Sequence, residues 1–120
     1  MQTLTILIAD DHPLFRGALK QAVHDLGEER RIIEAGDFEA ARKAARDNPE
    51  ADVMLLDLAM PGVSGFSGLM SLRAEFPALP IVIVSATDDG NTIRRALELG
   101  ASGFISKSSG LDDIRAGINA

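Results

Sequence analysis

The chain alternates short unbroken apolar runs with longer stretches in which apolar residues return every three or four positions. Leu4–Ala9 (LTILIA), Asp52–Leu56 (DVMLL) and Pro80–Ser85 (PIVIVS) are short, rich in aliphatic side chains and bounded by polar or turn residues. That is the pattern of strands buried on both faces. Arg31–Ala35 (RIIEA) and Gly103–Ser106 (GFIS) read as two shorter strands. Between them lie helical periods. Pro13–Leu26 places Leu14, Phe15, Ala18, Leu19, Ala22, Val23 and Leu26 at the i, i+3, i+4 spacing of one apolar face. Pro13 suits the first helical turn, and Gly27 suits the left-handed position past the end. Phe38–Asp47 carries Phe38, Ala41, Ala44 and Ala45 on one face. Phe66–Phe76 is a third helix stopped by Pro77, and Asn91–Leu99 a fourth closed by Gly100. From Leu111 onward, Leu111, Ile114 and Ile118 are spaced for a fifth, still in period at Ala120. This predicts that the natural chain continues.

Five repeats of strand and helix predict an α/β fold: a doubly wound, five-stranded parallel sheet with helices on both faces. For five strands the common order is 2-1-3-4-5. No linker, repeat or low-complexity segment interrupts the pattern, so residues 1–120 are expected to form one domain.

Composition narrows the picture. All five aromatic residues are Phe, so the core must be built mainly from aliphatic side chains. A formal charge of −6 argues against this domain gripping a nucleic-acid backbone itself. The absence of cysteine excludes a disulfide framework and a thiolate metal site. There is no basic-then-apolar leader and no apolar run near ~18 residues, so a cytoplasmic protein without membrane contact is expected.

In open α/β sheets ligands sit beyond the carboxyl ends of the strands, where the order reverses. Strand one ends in Asp10-Asp11, strand three in Asp57 and strand four in Ser85, and strand five is followed by Lys107. The 2-1-3-4-5 order would bring these five residues to one shallow site. Three neighbouring carboxylates repel one another, and a divalent cation relieves that repulsion. Hard oxygen ligands without Cys or paired His favour Mg²⁺. A carboxylate can accept a phosphoryl group as an aspartyl phosphate. Lys107 could pair with a phosphoryl oxygen as a point charge, and Ser85 could donate a hydrogen bond to another. Each residue also has a plainer role. Asp10-Asp11 could open the first helix, Asp57 could start the turn Asp57–Gly65, Ser85 could be an ordinary strand-end hydroxyl and Lys107 a solvated lysine. Their convergence makes the case. His12 and His24 stand apart from it and are assigned structural or surface roles.

The segments ILIADDHPLFRGAL, VMLLDLAMPGVSG, IVIVSA and GASGFISK, in this order and spacing, resemble the receiver domains of bacterial two-component response regulators, which have the flavodoxin-like fold. The resemblance covers essentially the whole chain. DDHPLFR, and Lys107 followed by Ser108 rather than Pro, are similar to the NarL/LuxR-type branch. The resemblance implies that Asp57 is the phosphoacceptor, Asp11 a direct Mg²⁺ ligand, and Asp10 a ligand acting largely through a metal-bound water. It implies that the Ala59 carbonyl is the third protein ligand, Ser85 the switch hydroxyl and Lys107 the phosphoryl-binding lysine. Phe104 matches the aromatic whose ring turns inward on activation; lacking a hydroxyl, it must act through packing. Ser108 in place of Pro makes a cis peptide after Lys107 more costly. Ala59 and Thr87 flank the path of incoming water, and neither is an acid or amide. Further implications are a partner sensor histidine kinase, a homodimer formed on phosphorylation, and a C-terminal DNA-binding domain, absent here, that controls transcription.

Three other readings compete. A pseudo-receiver would not need the complete set Asp10, Asp11, Asp57, Ser85 and Lys107. A flavodoxin-like cofactor protein would need a phosphate-cradling loop after strand one, but Ala9–Pro13 (ADDHP) is acidic and lacks Gly. An Asp-nucleophile phosphohydrolase would need a general acid and a substrate cap, and neither is evident.

Overall fold

In the computed structural model, which describes residues 4–24, 30–58, 66–86 and 90–106, the apolar runs pair into one sheet. Its strands are β1 (Leu4–Ala9), β2 (Arg30–Ala35), β3 (Val53–Asp57), β4 (Ile81–Ser85) and β5 (Gly103–Ser106). They alternate with α1 (Pro13–His24), α2 (Phe38–Asp47), α3 (Ser67–Glu75) and α4 (Gly90–Glu98). All pairings are parallel and the order is β2-β1-β3-β4-β5, as the pattern predicted. The expected fifth helix from Leu111, Gly27 and the Lys107–Ser108 peptide lie outside the described residues.

Side chains in a strand point alternately to opposite faces, so a continuous apolar run supplies two cores at once. Leu7, Ala9, Met54, Leu56, Ile81 and Ile83 pack on one side with Ala41 and Ala45 of α2, Leu69 and Leu72 of α3 and Ala96 of α4. Ile6, Ile8, Leu55, Val82, Val84 and Ile105 face the other side, with Leu19 and Ala22 of α1. Register is therefore strongly specified, because a one-residue slip would exchange the two sets.

Several element ends shift by one residue from the expected pattern, and two differences have a clear physical reason. The third strand begins one residue later, at Val53, and runs to Asp57. Asp52 instead fastens the strand entrance. Its carboxylate accepts the Thr5 amide at 2.8 Å, and its own amide donates to the Thr5 carbonyl at 2.8 Å. The second difference is Leu14, which was expected on the apolar face of α1 but is 92% exposed. At about 100° per residue Leu14 stands at the flank of the apolar arc, well round the helix from the middle of the arc between the buried Leu19 and Ala22.

Helix ends follow from nearby polar groups. Asp37 caps α2 by accepting the Ala40 amide at 2.8 Å. Beyond α4, Gly100 has φ 102°; its amide donates to the Leu97 carbonyl at 3.1 Å, and the Ala101 amide donates to the Ala96 carbonyl at 3.0 Å. This is a Schellman closure, which favours a left-handed glycine, and it falls at the Gly100 that the sequence placed at the end of this helix.

Candidate functional site

β1 and β3 are adjacent and parallel, with Ala9 beside Leu56, so Asp10 and Asp57 emerge side by side at the carboxyl edge of the sheet. Asp57 pairs in register with Val84, which sets Ser85 one step further along the same edge. The three residues are almost fully buried, with 1% exposure at Asp10, 2% at Asp57 and 5% at Ser85. Burial of polar groups at the ends of apolar strands is costly unless they are satisfied, so their presence there marks a site.

Asp10 is held through its main chain as well as its carboxylate. Its amide donates to the Ala35 carbonyl at 3.0 Å, and its own carbonyl accepts Arg16 Nη1 at 2.8 Å. Arg16 Nε in turn donates to Glu34 Oε1 at 3.1 Å, so one guanidinium joins α1, β2 and the acidic loop. Asp10 Oδ1 accepts the His12 amide at 2.7 Å. Asp10 thus fixes His12, the residue before α1 whose carbonyl accepts the Arg16 amide, and it also belongs to the acidic cluster.

His12 corrects an expectation. The ring is 58% exposed, as a surface residue should be, yet it is not apart from the site. Its Nδ1 lies 3.1 Å from Asp11 Oδ1, 3.3 Å from Asp10 Oδ1 and 3.6 Å from Asp57 Oδ2. One donor atom from each of Asp10, Asp11, His12 and Asp57 falls within 4.8 Å of the others. The available signal was adjacency: a side chain directly after an acidic pair at a strand end shares the loop that presents that pair. The side chain of His24 lies outside the described residues.

The donor set suits a divalent cation. Asp11 Oδ1 is shielded from solvent and makes no hydrogen bond. An anionic oxygen in that state gains from a cation. Three carboxylates from two neighbouring strand ends supply the hard oxygens that Mg²⁺ prefers.

Phe104 on β5 is half-buried beside Ile83 and packs against the cluster on the α2, α3 and α4 side. A groove of about 650 Å³ lies against the outer part of α4, lined by Phe66, Asn91, Thr92, Arg94, Arg95 and Glu98. The acidic cluster does not line it. Among the expected site residues, the structure brings together Asp10, Asp11 and Asp57 and sets Ser85 and Phe104 at the neighbouring strands. Ala59, Thr87 and Lys107 lie outside the described residues.

A doubly wound 2-1-3-4-5 sheet with an acidic cluster at the ends of its first and third strands defines a flavodoxin-like domain of the receiver class. The chain belongs to the response regulator receiver domain family, whose profile matches residues 6–119. It is 45% identical over 104 residues to a glycerol metabolism activator of Pseudomonas putida, covering 87% of this chain and 47% of that protein. It is 37% identical over 117 residues to the nitrate/nitrite response regulator protein NarP of Escherichia coli K12, covering 93% of this chain and 54% of that one. In structure it is similar to the signal receiver domain of the response regulator NarL from Mycobacterium tuberculosis. The TM-score is 0.83 at 31% identity, covering 97% of this chain and 93% of that one. These relatives agree with the NarL/LuxR-type resemblance of the DDHPLFR segment. The chain spans about half the length of these curated relatives, 47% and 54%.

Proposed function

We infer that this domain accepts a phosphoryl group on Asp57 and answers with a change of its surface. The observation that carries the reading is the burial of the Asp57 carboxylate at the end of β3, beside Asp10 and Asp11, in a chain of the receiver family. Asp11 and Asp57 are the direct protein ligands of Mg²⁺ in this reading, with the Ala59 carbonyl as a third and Asp10 acting through water. When bound, Mg²⁺ supplies charge neutralisation for the carboxylates and the incoming phosphoryl oxygens. Asp57 attacks phosphorus through one carboxylate oxygen. In the same exchange the P–N bond of a kinase phosphohistidine breaks, and its electron pair returns to the imidazole nitrogen. The rigid strand end holds the nucleophile in place, and positioning is much of what phosphoryl transfer asks of a protein. Ser85 donates its hydroxyl to one phosphoryl oxygen, and Lys107 pairs with another. The partner is a sensor histidine kinase and the setting cytoplasmic. The output is transcriptional, through a DNA-binding domain elsewhere in the natural chain, with dimerisation on phosphorylation. NarP and the glycerol metabolism activator, each about twice as long as the aligned part, support a further output domain.

Incubation with acetyl phosphate, with and without Mg²⁺, followed by intact-mass measurement tests the reading. One phosphoryl group should be gained only with Mg²⁺. No gain under either condition would favour a pseudo-receiver.

A further inference from the structure

Three carboxylates suffice for a hard cation, so the imidazole beside them is the feature that this reading leaves over. Two donors bound side by side to a metal at ~2.1 Å lie about 3.0 Å apart in an octahedron and about 3.4 Å apart in a tetrahedron. The distances from His12 Nδ1 to Asp11 Oδ1 and Asp10 Oδ1, 3.1 and 3.3 Å, are already of that size, and the 3.6 Å to Asp57 Oδ2 needs only a small inward shift. The backbone fixes the residue at this spot: its amide donates to Asp10 Oδ1 at 2.7 Å, and its carbonyl accepts the Arg16 amide at 2.9 Å.

The chemistry of the donors then separates two classes of cation. Mg²⁺ demands oxygen ligands and keeps its waters, so it gains nothing from the ring. Imidazole suits Zn²⁺ and its neighbours among the divalent transition metals, which mixed nitrogen and oxygen sites also bind more tightly.

We propose that His12 Nδ1 is a conditional ligand, with which Asp11 and Asp57 bind a borderline divalent cation of the Zn²⁺ type in place of Mg²⁺. The inference rests on reading the acidic cluster as a metal site. It makes the site selective in both directions: a hard cation leaves the ring aside, and a borderline cation recruits it and competes for the same carboxylates.

The test uses this chain with its two histidines labelled with ¹⁵N, titrated with Zn²⁺ alone and with Mg²⁺ alone, alongside calorimetric affinities. Zn²⁺ should move the Nδ1 resonance of His12, and Mg²⁺ should not. His12→Gln should weaken Zn²⁺ binding about tenfold or more, a loss of the size that disturbing a metal site produces. The ratio of Zn²⁺ to Mg²⁺ affinity should fall with it. Asp11→Asn should weaken both cations. Zn²⁺ binding to His12→Gln as tight as to the parent, or a shift confined to His24, would overturn the proposal. The two readings fail separately. Normal Mg²⁺ binding with Zn²⁺ binding indifferent to His12 sinks this inference alone. Absent Mg²⁺ binding with His12-dependent Zn²⁺ binding sinks the Mg²⁺ reading and leaves this one standing.

Discussion

Asp10 and Asp11 are neighbours in sequence with different tasks. Asp10 is buried and tied through its main chain and Oδ1 to Ala35, His12 and Arg16, whereas the Asp11 side chain keeps 29% exposure and directs Oδ1, 3.1 Å from His12 Nδ1, toward the cluster. Removing Asp11 should therefore disturb the metal site more than the loop. Asp11→Ala is expected to lose about tenfold or more in Mg²⁺ affinity. Without metal it should be more stable than the parent by about 1 kcal/mol, because a like charge has left the cluster. Thermal melts of both forms across a Mg²⁺ titration measure both effects, and equal Mg²⁺ binding by the two would refute the assignment of this ligand. At this scale the sequence was legible wherever a carboxylate or hydroxyl interrupts an apolar run: Asp10, Asp11, Asp57 and Ser85 stood out for that reason. His12 did not, because residue type and spacing alone say nothing about the direction of a ring. Only the turn made by the Asp10–His12 hydrogen bond brings Nδ1 back toward the carboxylates.

Elements hold the site by their ends and by a few cross-links. Gly100 closes α4 at φ 102°, and a Cβ there would meet Arg73 Nε at 3.0 Å. Gly100→Ala should cost about 1–2 kcal/mol, the penalty of left-handed backbone for an L-residue, read as a shifted urea midpoint with an unchanged slope. Between α2 and α3, Arg42 Nε donates to Glu75 Oε1 at 2.7 Å and Nη2 donates to Oε2 at 3.0 Å. These hydrogen bonds hold the Glu75 carboxyl below its ordinary value of 4.5. A depressed carboxyl contributes stability that is fully present above its unfolded-state pKa and is lost as pH falls through the folded value. The pair is exposed, so the contribution is small. Its clearest readout is an NMR titration of Glu75, whose midpoint should rise toward the ordinary value in Arg42→Gln; an unmoved midpoint would contradict the link. The helix that ends at Gly100 was legible because a glycine follows an amphipathic period. The Arg42–Glu75 link was not, since it joins residues 33 apart that meet only after α2 and α3 dock on the same face. Leu14 was misplaced because the i, i+3, i+4 spacing admits residues at the flank of the apolar arc as well as at its centre.

Across the whole molecule, β4 and β5 join the acidic cluster to the α4 face that the proposed switch would alter. Ser85 ends β4, Phe104 lies beside Ile83 on β5, and α4 connects the two strands with Arg94 and Leu97 exposed. A phosphoryl group on Asp57 would draw the Ser85 hydroxyl toward it and open volume behind the strand end. Packed interiors tolerate voids poorly, so the half-buried Phe104 ring would move in, and the α4 surface would change with it. Shifting a mostly inactive population requires a preference of a few kcal/mol for the active state. Backbone-amide spectra with beryllofluoride, a mimic of the phosphoryl group, should show changes from Ser85 through Leu99 and around Phe104, reduced in Ser85→Ala. Changes confined to the loops around Asp11 and Asp57 would mean phosphate is bound without switching. The strand order that makes this coupling possible was legible from five strand–helix repeats, because short crossovers of one hand leave few alternatives. All of it depends on Asp57 being the nucleophile. The direct measurement is intact mass after acetyl phosphate and Mg²⁺ for the parent and for Asp57→Asn: the parent should gain one phosphoryl group and the variant none, and an equal gain in the variant would contradict the account.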